Sequence, residues 1–239
     1  MSNEEEEFNN EEEEFGGDEV VIDGDDGEIV FDEPQESQID DTQIDEERQK
    51  REEDERVKEE LVKRFNPTTG AARRLINDLK IMMDSNPKEL GFSCQPKNED
   101  IFTWEVRLFG FEKGTPMMKD IEKYQKQTGR DYVELSVTFP PDYPINPPFV
   151  RVVRPRFVPR TGRVTAGGSL CTDILTSESW NPMYGIDSLM VNILSEILNG
   201  NPRIDFTRND PYSLEEARAA YQRVASDHGW RVPKWMPNK

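Results

Sequence analysis

Few residues of this 239-residue chain are of the types that do covalent chemistry: two cysteines, Cys94 and Cys171, and a single histidine, His228. Cys171 stands in the run Thr165-Ala-Gly-Gly-Ser-Leu-Cys171-Thr-Asp173-Ile-Leu, and Trp180-Asn181-Pro182 follows. A cysteine in a Gly-flanked loop is more accessible than one on a strand, and Gly167 and Gly168 let another backbone come close. The plainer reading of any free cysteine is a small buried hydrophobe, and Cys94, on an expected strand edge, fits that better. A cysteine hydrolase needs a base, usually His. His228 falls in the last turn of the final expected helix, before Gly229, where a cation complements the helix C-terminus. A cysteine phosphatase would need Arg at position 177, which is Ser. The Gly pair is no phosphate loop, because no Gly-Lys-Ser/Thr follows it. What remains is thiol exchange onto an acyl group that is already activated. There the intrinsic nucleophilicity of sulfur suffices, and a thiol of pKa about 8.5 is a few per cent thiolate at neutral pH.

Charge divides the chain. Residues 1–60 hold 28 acidic and 5 basic side chains, whereas residues 61–239 hold 21 acidic and 25 basic. The net charge of −19 therefore belongs to a tail, and the remainder is mildly basic. No apolar run is long enough to cross a bilayer, and the N-terminus lacks the apolar core of a signal peptide. Two distant cysteines make neither a disulfide framework nor a zinc site, so no metal is expected. A protein of the cytoplasm, the nucleus or both, with free thiols, is the expectation.

The elements that must position Cys171 follow from patterning. Residues 1–47 read as a disordered acidic tail, with Val20–Ile22 and Glu28–Phe31 as apolar islands or short docking motifs. Residues 48–66 read as a charged linker helix, in which Val57, Leu61 and Phe65 form a stripe. The compact domain spans 67–239. Its first helix is capped by Thr68 or Thr69, buries Leu75, Ile76, Leu79, Met82 and Met83, and turns Arg73, Arg74 and Lys80 outward. Strands are expected at Phe102–Leu108 and Val133–Phe139, both of period two, and at Phe149–Val153. Short connections favour an antiparallel meander, with 113–130 a short helix or a mobile flap. The strongest helical stripe runs from Ile186 to Leu198 and stops at Gly200. Ser213-Leu-Glu-Glu216 is a capping box that opens a last helix, with Leu214, Ala217, Tyr221 and Val224 inward. The order helix, meander, long loop, helix, helix is an α+β domain.

Three motifs in order now carry a resemblance. Tyr143-Pro144-Ile-Asn-Pro147-Pro148 resembles the Tyr-Pro-x-x-Pro-Pro segment of ubiquitin-conjugating enzymes. Leu170-Cys171-Thr-Asp173-Ile-Leu is similar to the surroundings of that family's acceptor cysteine, and Trp180-Asn181-Pro182 stands where the family has Trp-x-Pro. The resemblance covers about residues 68–235. The family usually has His-Pro-Asn some ten residues before the cysteine, where this chain has Thr161-Gly162-Arg163. That absence, the 113–130 insertion and the terminal Gly229-Trp230 resemble the divergent Q-type branch.

The resemblance implies the ubiquitin-conjugating fold, a Cys171–ubiquitin thioester formed by exchange with the activating enzyme, and transfer to a substrate amine, a hydroxyl or a ligase. Ubiquitin, the activating enzyme, ligases and substrate proteins are the implied partners. No cofactor, nucleic acid or membrane is implied, and a monomer is expected. Oxyanion donors would be Arg163, Asn181 or backbone N–H groups near Gly168, with Asp173 or Asp205 placed to orient or deprotonate the acceptor. Each has a plainer reading: Arg163 as a solvated loop residue, Asn181 as a turn starter before Pro182, either Asp as a surface charge. Ile145, Pro182 and Met183 match the family's ligase contacts. Arg73, Arg74 and Lys80 match the helix face used by the activating enzyme, although a basic helix face is usually just solvated. The competing reading is an inactive variant that only binds ubiquitin or a partner. An acidic chaperone for basic proteins would explain the tail and leave the ordered motifs unexplained.

Overall fold

The computed structural model describes residues 41–65 and 67–236, in two units that divide at residue 45. Of the first unit only 41–45 are described, so the tail and its two apolar islands up to residue 40 lie outside the described residues. Helix α1 (Asp41–Phe65) begins within the segment expected as tail. Its opening residues include Asp41 and Asp45, and acidic side chains are favourable near a helix N-terminus. Only the C-terminal end of its apolar stripe is used. Leu61 is half-buried and Phe65 packs on the core, whereas Val57 is exposed. Lys58 Nζ reaches Asp84 at 2.6 Å.

Helix α2 (Gly70–Asp84) starts where Thr69 Oγ1 accepts the Ala72 N–H at 3.1 Å. Leu75, Ile76, Leu79 and Met82 are buried as the pattern requires. Met83 is exposed, a correction to the expected face. It lies about 100° around the helix from Met82, off the buried stripe.

After the short helix α3 (Pro87–Leu90), four strands form an antiparallel meander in sequence order: β1 (Phe92–Lys97), β2 (Asp100–Leu108), β3 (Val133–Thr138) and β4 (Phe149–Arg154). β1 shows no apolar alternation and includes Pro96, which is tolerated because β1 is an edge strand. Trp104, Val106, Leu108, Val133, Leu135 and Val137 join α2 and α5 in one core. Glu134 and Ser136, on the polar side of the alternation, are buried as well. Glu134 gains a charge partner there, Arg154 Nε at 3.1 Å.

The 113–130 segment is an ordered helix, α4 (Pro116–Thr128), rather than a flap. Thr115 caps it, Gly129 ends it in the left-handed conformation, and Met117, Ile121 and Tyr124 enter the main core. Helix α5 (Ile186–Asn199) buries Ile186, Leu189, Met190, Ile193, Leu194 and Ile197. Helix α6 (Leu214–His228) has the expected capping box and ends at Gly229. It builds a second, smaller core with Phe149, Ala217, Tyr221, Ala225 and Met236. Val224, expected inward, is only half-buried. Among the described residues no helix is long and apolar enough to cross a membrane.

Candidate active site

Cys171 lies at the end of a tight hairpin whose geometry follows from its glycines and hydroxyls. Val164 pairs with Leu170, and the Cys171 N–H donates to the Arg163 carbonyl at 2.8 Å. Across the tip the Thr165 and Ser169 hydroxyls bond at 2.8 Å, and the Gly168 N–H donates to the Thr165 carbonyl. The returning arm covers the free edge of β4. Val152 N–H donates to Gly168 O at 2.7 Å, and Arg151 bridges Ser169. An edge that would otherwise expose unpaired main-chain groups is thereby used to hold the cysteine.

The two glycines are where the hairpin meets α6. A Cβ on Gly167 would overlap the Glu216 carbonyl oxygen and lie 2.7 Å from the Ala220 Cβ. Gly168 has φ +93°, and its missing Cβ leaves room for the Tyr212 ring. Tyr212 is itself fixed, since its hydroxyl accepts the Phe157 N–H at 3.0 Å and the Arg156 guanidinium lies 4.3 Å over its ring. Buried Arg156 in turn holds Asp210 at 2.6 Å and Glu216 at 3.0 Å, which ties the loop before α6 to the start of that helix.

The thiol opens on a cleft of about 670 Å³. One wall is the Pro159–Ala166 loop and another is the last turns of α6. The third is Asn199–Asn201, the exit of α5. Gly162 N–H donates to Gly200 O at 2.8 Å, and Gly200 packs so closely on Gly162–Arg163 that a Cβ would lie 2.6 Å from the Arg163 nitrogen. Burial pushes the half-buried Cys171 thiol above its ordinary pKa, and the Arg163 guanidinium pulls it partly back. Arg163 also stands 3.5 Å from Glu196 of α5. The thiol is thus less ionised than an exposed cysteine. Thiolate reactivity is accordingly expected to climb with pH and to level off only above the ordinary thiol pKa. In a Cys94→Ala background, Arg163→Ala should lower the iodoacetamide alkylation rate of Cys171 about threefold at neutral pH by removing the attraction of the guanidinium for the thiolate. Cys94 is a different environment. It sits on β1 against the core, and burial pushes its thiol up to about 12.

Of the residues predicted from sequence, the cleft gathers Cys171 and Arg163 and leaves the others elsewhere. Asn181 is a turn residue: Oδ1 accepts the Met183 N–H at 3.0 Å and its carbonyl accepts from Tyr184. Asp205 turns toward Thr207, whose N–H and hydroxyl both bind Oδ1, and these bonds hold its carboxyl below the usual range. A carboxylate so stabilised is a weak base, so the structure does not support Asp205 as the group that deprotonates an acceptor. Asp173 is exposed and opens a 3-10 turn, Asp173–Leu175, outside the cleft lining.

Arg74 is corrected in the same way. Its guanidinium binds Asp78 at 3.1 Å, Pro182 O at 3.3 Å and Tyr184 O at 2.6 Å, so it clamps the loop after Trp180 to α2 and is not a free basic face. Arg73 and Lys80 are exposed. Trp180 Nε1 donates to Pro144 O at 2.7 Å, and the rings of Trp104, Phe139, Tyr143, Trp180 and Tyr184 follow one another in edge-to-face and tilted contacts from the sheet outward. That series presents Ile145 and Met183 at its tip, 72% and 83% exposed, with exposed Pro182 beside Met183.

Sequence reasoning missed Asp120. From α4 it accepts Arg203 Nε at 2.6 Å and the Ile204 N–H at 3.1 Å, bracing the loop that leaves the cleft. The signal was a polar residue between Met117 and Ile121 on an otherwise apolar face. Asp120→Ala is expected to cost about 2 kcal/mol in chemical denaturation, because the buried Ile204 N–H loses its acceptor.

Comparisons with known proteins agree with this arrangement. Residues 74–228 match the family described as ubiquitin-conjugating enzyme. Ubiquitin-conjugating enzyme E2 Q1 of Mus musculus is 30% identical over 168 residues, 68% of this chain and 39% of that protein. The Homo sapiens protein of that name gives the same figures. A shorter Q-like ubiquitin-conjugating protein of Mus musculus is 30% identical over 147 residues, 59% of this chain and 88% of that protein. The chain spans about two fifths of the length of the E2 Q1 relatives that it matches. A match that runs from α2 through α6 and takes in all three cleft walls and the cysteine places this chain in the ubiquitin-conjugating enzyme family, in its divergent Q-type branch.

Proposed function

We propose that this protein carries ubiquitin as a thioester on Cys171. The Cys171 sulfur attacks the thioester carbonyl carbon held by an activating enzyme. A new C–S bond forms, the activating enzyme's thiolate leaves, and the Cys171 proton passes to solvent. In the second step an acceptor amine of a substrate, or a hydroxyl or ligase thiol, attacks the same carbon and the Cys171 thiolate departs. Both steps pass through an oxyanion, and Arg163, the charged group beside the sulfur, supports it together with main-chain N–H groups of the hairpin. ATP is consumed by the activating enzyme, and neither metal nor nucleotide is needed here.

The observation that carries this reading is the contrast between the two thiols. Cys171 opens on a walled cleft with the Arg163 guanidinium beside its sulfur. Cys94 lines a separate hollow between α1, α2 and β1 and is buried deeply enough against the core that its thiol is pushed up to about 12. Exposed Ile145, Pro182 and Met183 are proposed as the ligase contact and exposed Arg73 and Lys80 as part of the activating-enzyme contact, in keeping with small apolar and basic patches that suit transient encounters. The acidic tail is proposed to recruit basic substrates, the conjugating unit to be a monomer, and the site of action to be cytoplasm, nucleus or both. The raised Cys171 pKa favours one second reading, a variant that binds ubiquitin without being charged. The test is a charging assay with activating enzyme, ubiquitin and ATP on a non-reducing gel. A reductant-sensitive adduct supports the enzyme. Its absence with every ubiquitin-like modifier leaves the binding module.

A further inference from the structure

Beyond Arg163, which the thioester chemistry uses, the cleft beside Cys171 carries positive charge that this chemistry does not account for. Arg160, Arg163 and Arg223 all line it, against one carboxylate, Asp227. Arg163 leans toward Glu196, but among the described residues no carboxylate lies within ion-pair distance of Arg160 or Arg223. Both are exposed. The floor between them is apolar, built by Val164, Ala220 and Val224.

A second observation sets this cleft apart from an ordinary surface hollow. Among the described residues five non-glycines have positive φ, and three of them, Arg160, Arg163 and Asn201, line the cleft. Their φ values are 66°, 56° and 50°. Left-handed backbone at a non-glycine costs on the order of 1 kcal/mol each and persists where the surroundings enforce it, which is commonest at ligand sites. The enforcing contact here is the packing of Gly200 on Gly162–Arg163.

Resting on the reading of Cys171 as the ubiquitin carrier, we propose that this arginine-rimmed cleft seats the acceptor and selects acceptor segments with Asp or Glu beside the accepting side chain. The flanking carboxylates meet Arg160 and Arg223, while the accepting nitrogen reaches the carbonyl carbon at Cys171. As the C–N bond forms, the C–S bond breaks, Cys171 leaves as thiolate, and the acceptor nitrogen gives its proton to solvent. Acceptors flanked by Lys or Arg are repelled by the same rim.

The test uses the full chain and two synthetic peptides with one acceptor lysine each, flanked by glutamates in one and by arginines in the other. Preformed ubiquitin adduct, freed of ATP, is chased with each. Discharge is expected to be about tenfold faster to the acidic peptide at low salt, with the advantage shrinking as salt rises. Combining Arg223→Glu with Arg160→Asn, which keeps a residue tolerant of the left-handed backbone, should bring the ratio of the two rates near one. A ratio taken within one protein is insensitive to how much of it is folded. Equal discharge to both peptides by the unaltered protein, or a preference untouched by the two substitutions, overturns the proposal. Protection of Cys171 from iodoacetamide in uncharged Cys94→Ala protein decides the cleft independently of the thioester. Protection by the acidic peptide alone supports the acceptor seat even if no adduct forms, a result that would instead sink the carrier reading. Equal protection by both peptides, or by neither, counts against the seat.

Discussion

Cys171→Ala is expected to abolish the reductant-sensitive ubiquitin adduct completely, while Cys94→Ala forms it at close to the unaltered rate. The reason is position before reactivity. Cys171 terminates a hairpin that opens on a cleft of about 670 Å³, and its N–H donates to Arg163 O, which fixes the backbone that carries the thiol. Cys94 pairs with Val106 on the edge strand and packs on the main core, with a thiol held almost wholly protonated by burial. Cys171→Ser sharpens the test. A serine would be acylated to an oxyester that survives reductant, so a stable band in place of the labile one would report the same carbonyl carbon bonded at the same position. An adduct that persists in Cys171→Ala and vanishes in Cys94→Ala would assign the carrier to the wrong thiol here.

Gly167→Ala is expected to be the most damaging conservative substitution in the hairpin. The added carbon would overlap the Glu216 carbonyl and press on the Ala220 Cβ, both on α6 and neither on a flexible side chain. Relief requires the hairpin to lift from the helix, which also disturbs the Val152–Gly168 and Arg151–Ser169 pairing that covers β4. A loss of about 3 kcal/mol follows for overpacking of this kind, or roughly 10 °C in Tm for a domain of this size. Charging should fall with it even below the unfolding temperature, because the cysteine is carried on the displaced arm. Gly70→Ala supplies the contrast. Nothing lies within 4 Å of the site where its Cβ would be, and it opens α2, so stability should hold or rise slightly. Equal Tm values for the two variants would refute the packing argument.

The elements with strong periodicity were legible before any coordinates. β2 and β3 alternate, α5 carries an uninterrupted apolar stripe, and α6 announces itself by a capping box, because in each case the burial of one face is written as spacing along the chain. β1 was legible only as a strand edge at Cys94, without bounds, since Pro96 and scattered polar residues break the alternation and its extent is set by pairing with β2. Cys171, the proposed acceptor, was singled out by its glycines and by three motifs in order, which are local properties of the chain.

The surroundings of that cysteine were not. Asn181 and Asp205 were attractive by type and by their nearness to the motifs, yet each spends its side chain within two residues of itself, on Met183 and on Thr207. Arg74 shares a helix face with basic residues but bonds carbonyls more than a hundred positions away. Arg160, Arg223 and Asn201 come from three separate segments and meet only when Gly200 packs on Gly162 and α6 lies along the hairpin. Spacing in sequence reports which face of one element is buried, and it determined the fold class of this protein and singled out Cys171 as the proposed nucleophile. The partner of each polar side chain, and the charge of the cleft that the nucleophile faces, are sums over segments distant in sequence, and the tertiary structure alone decided those.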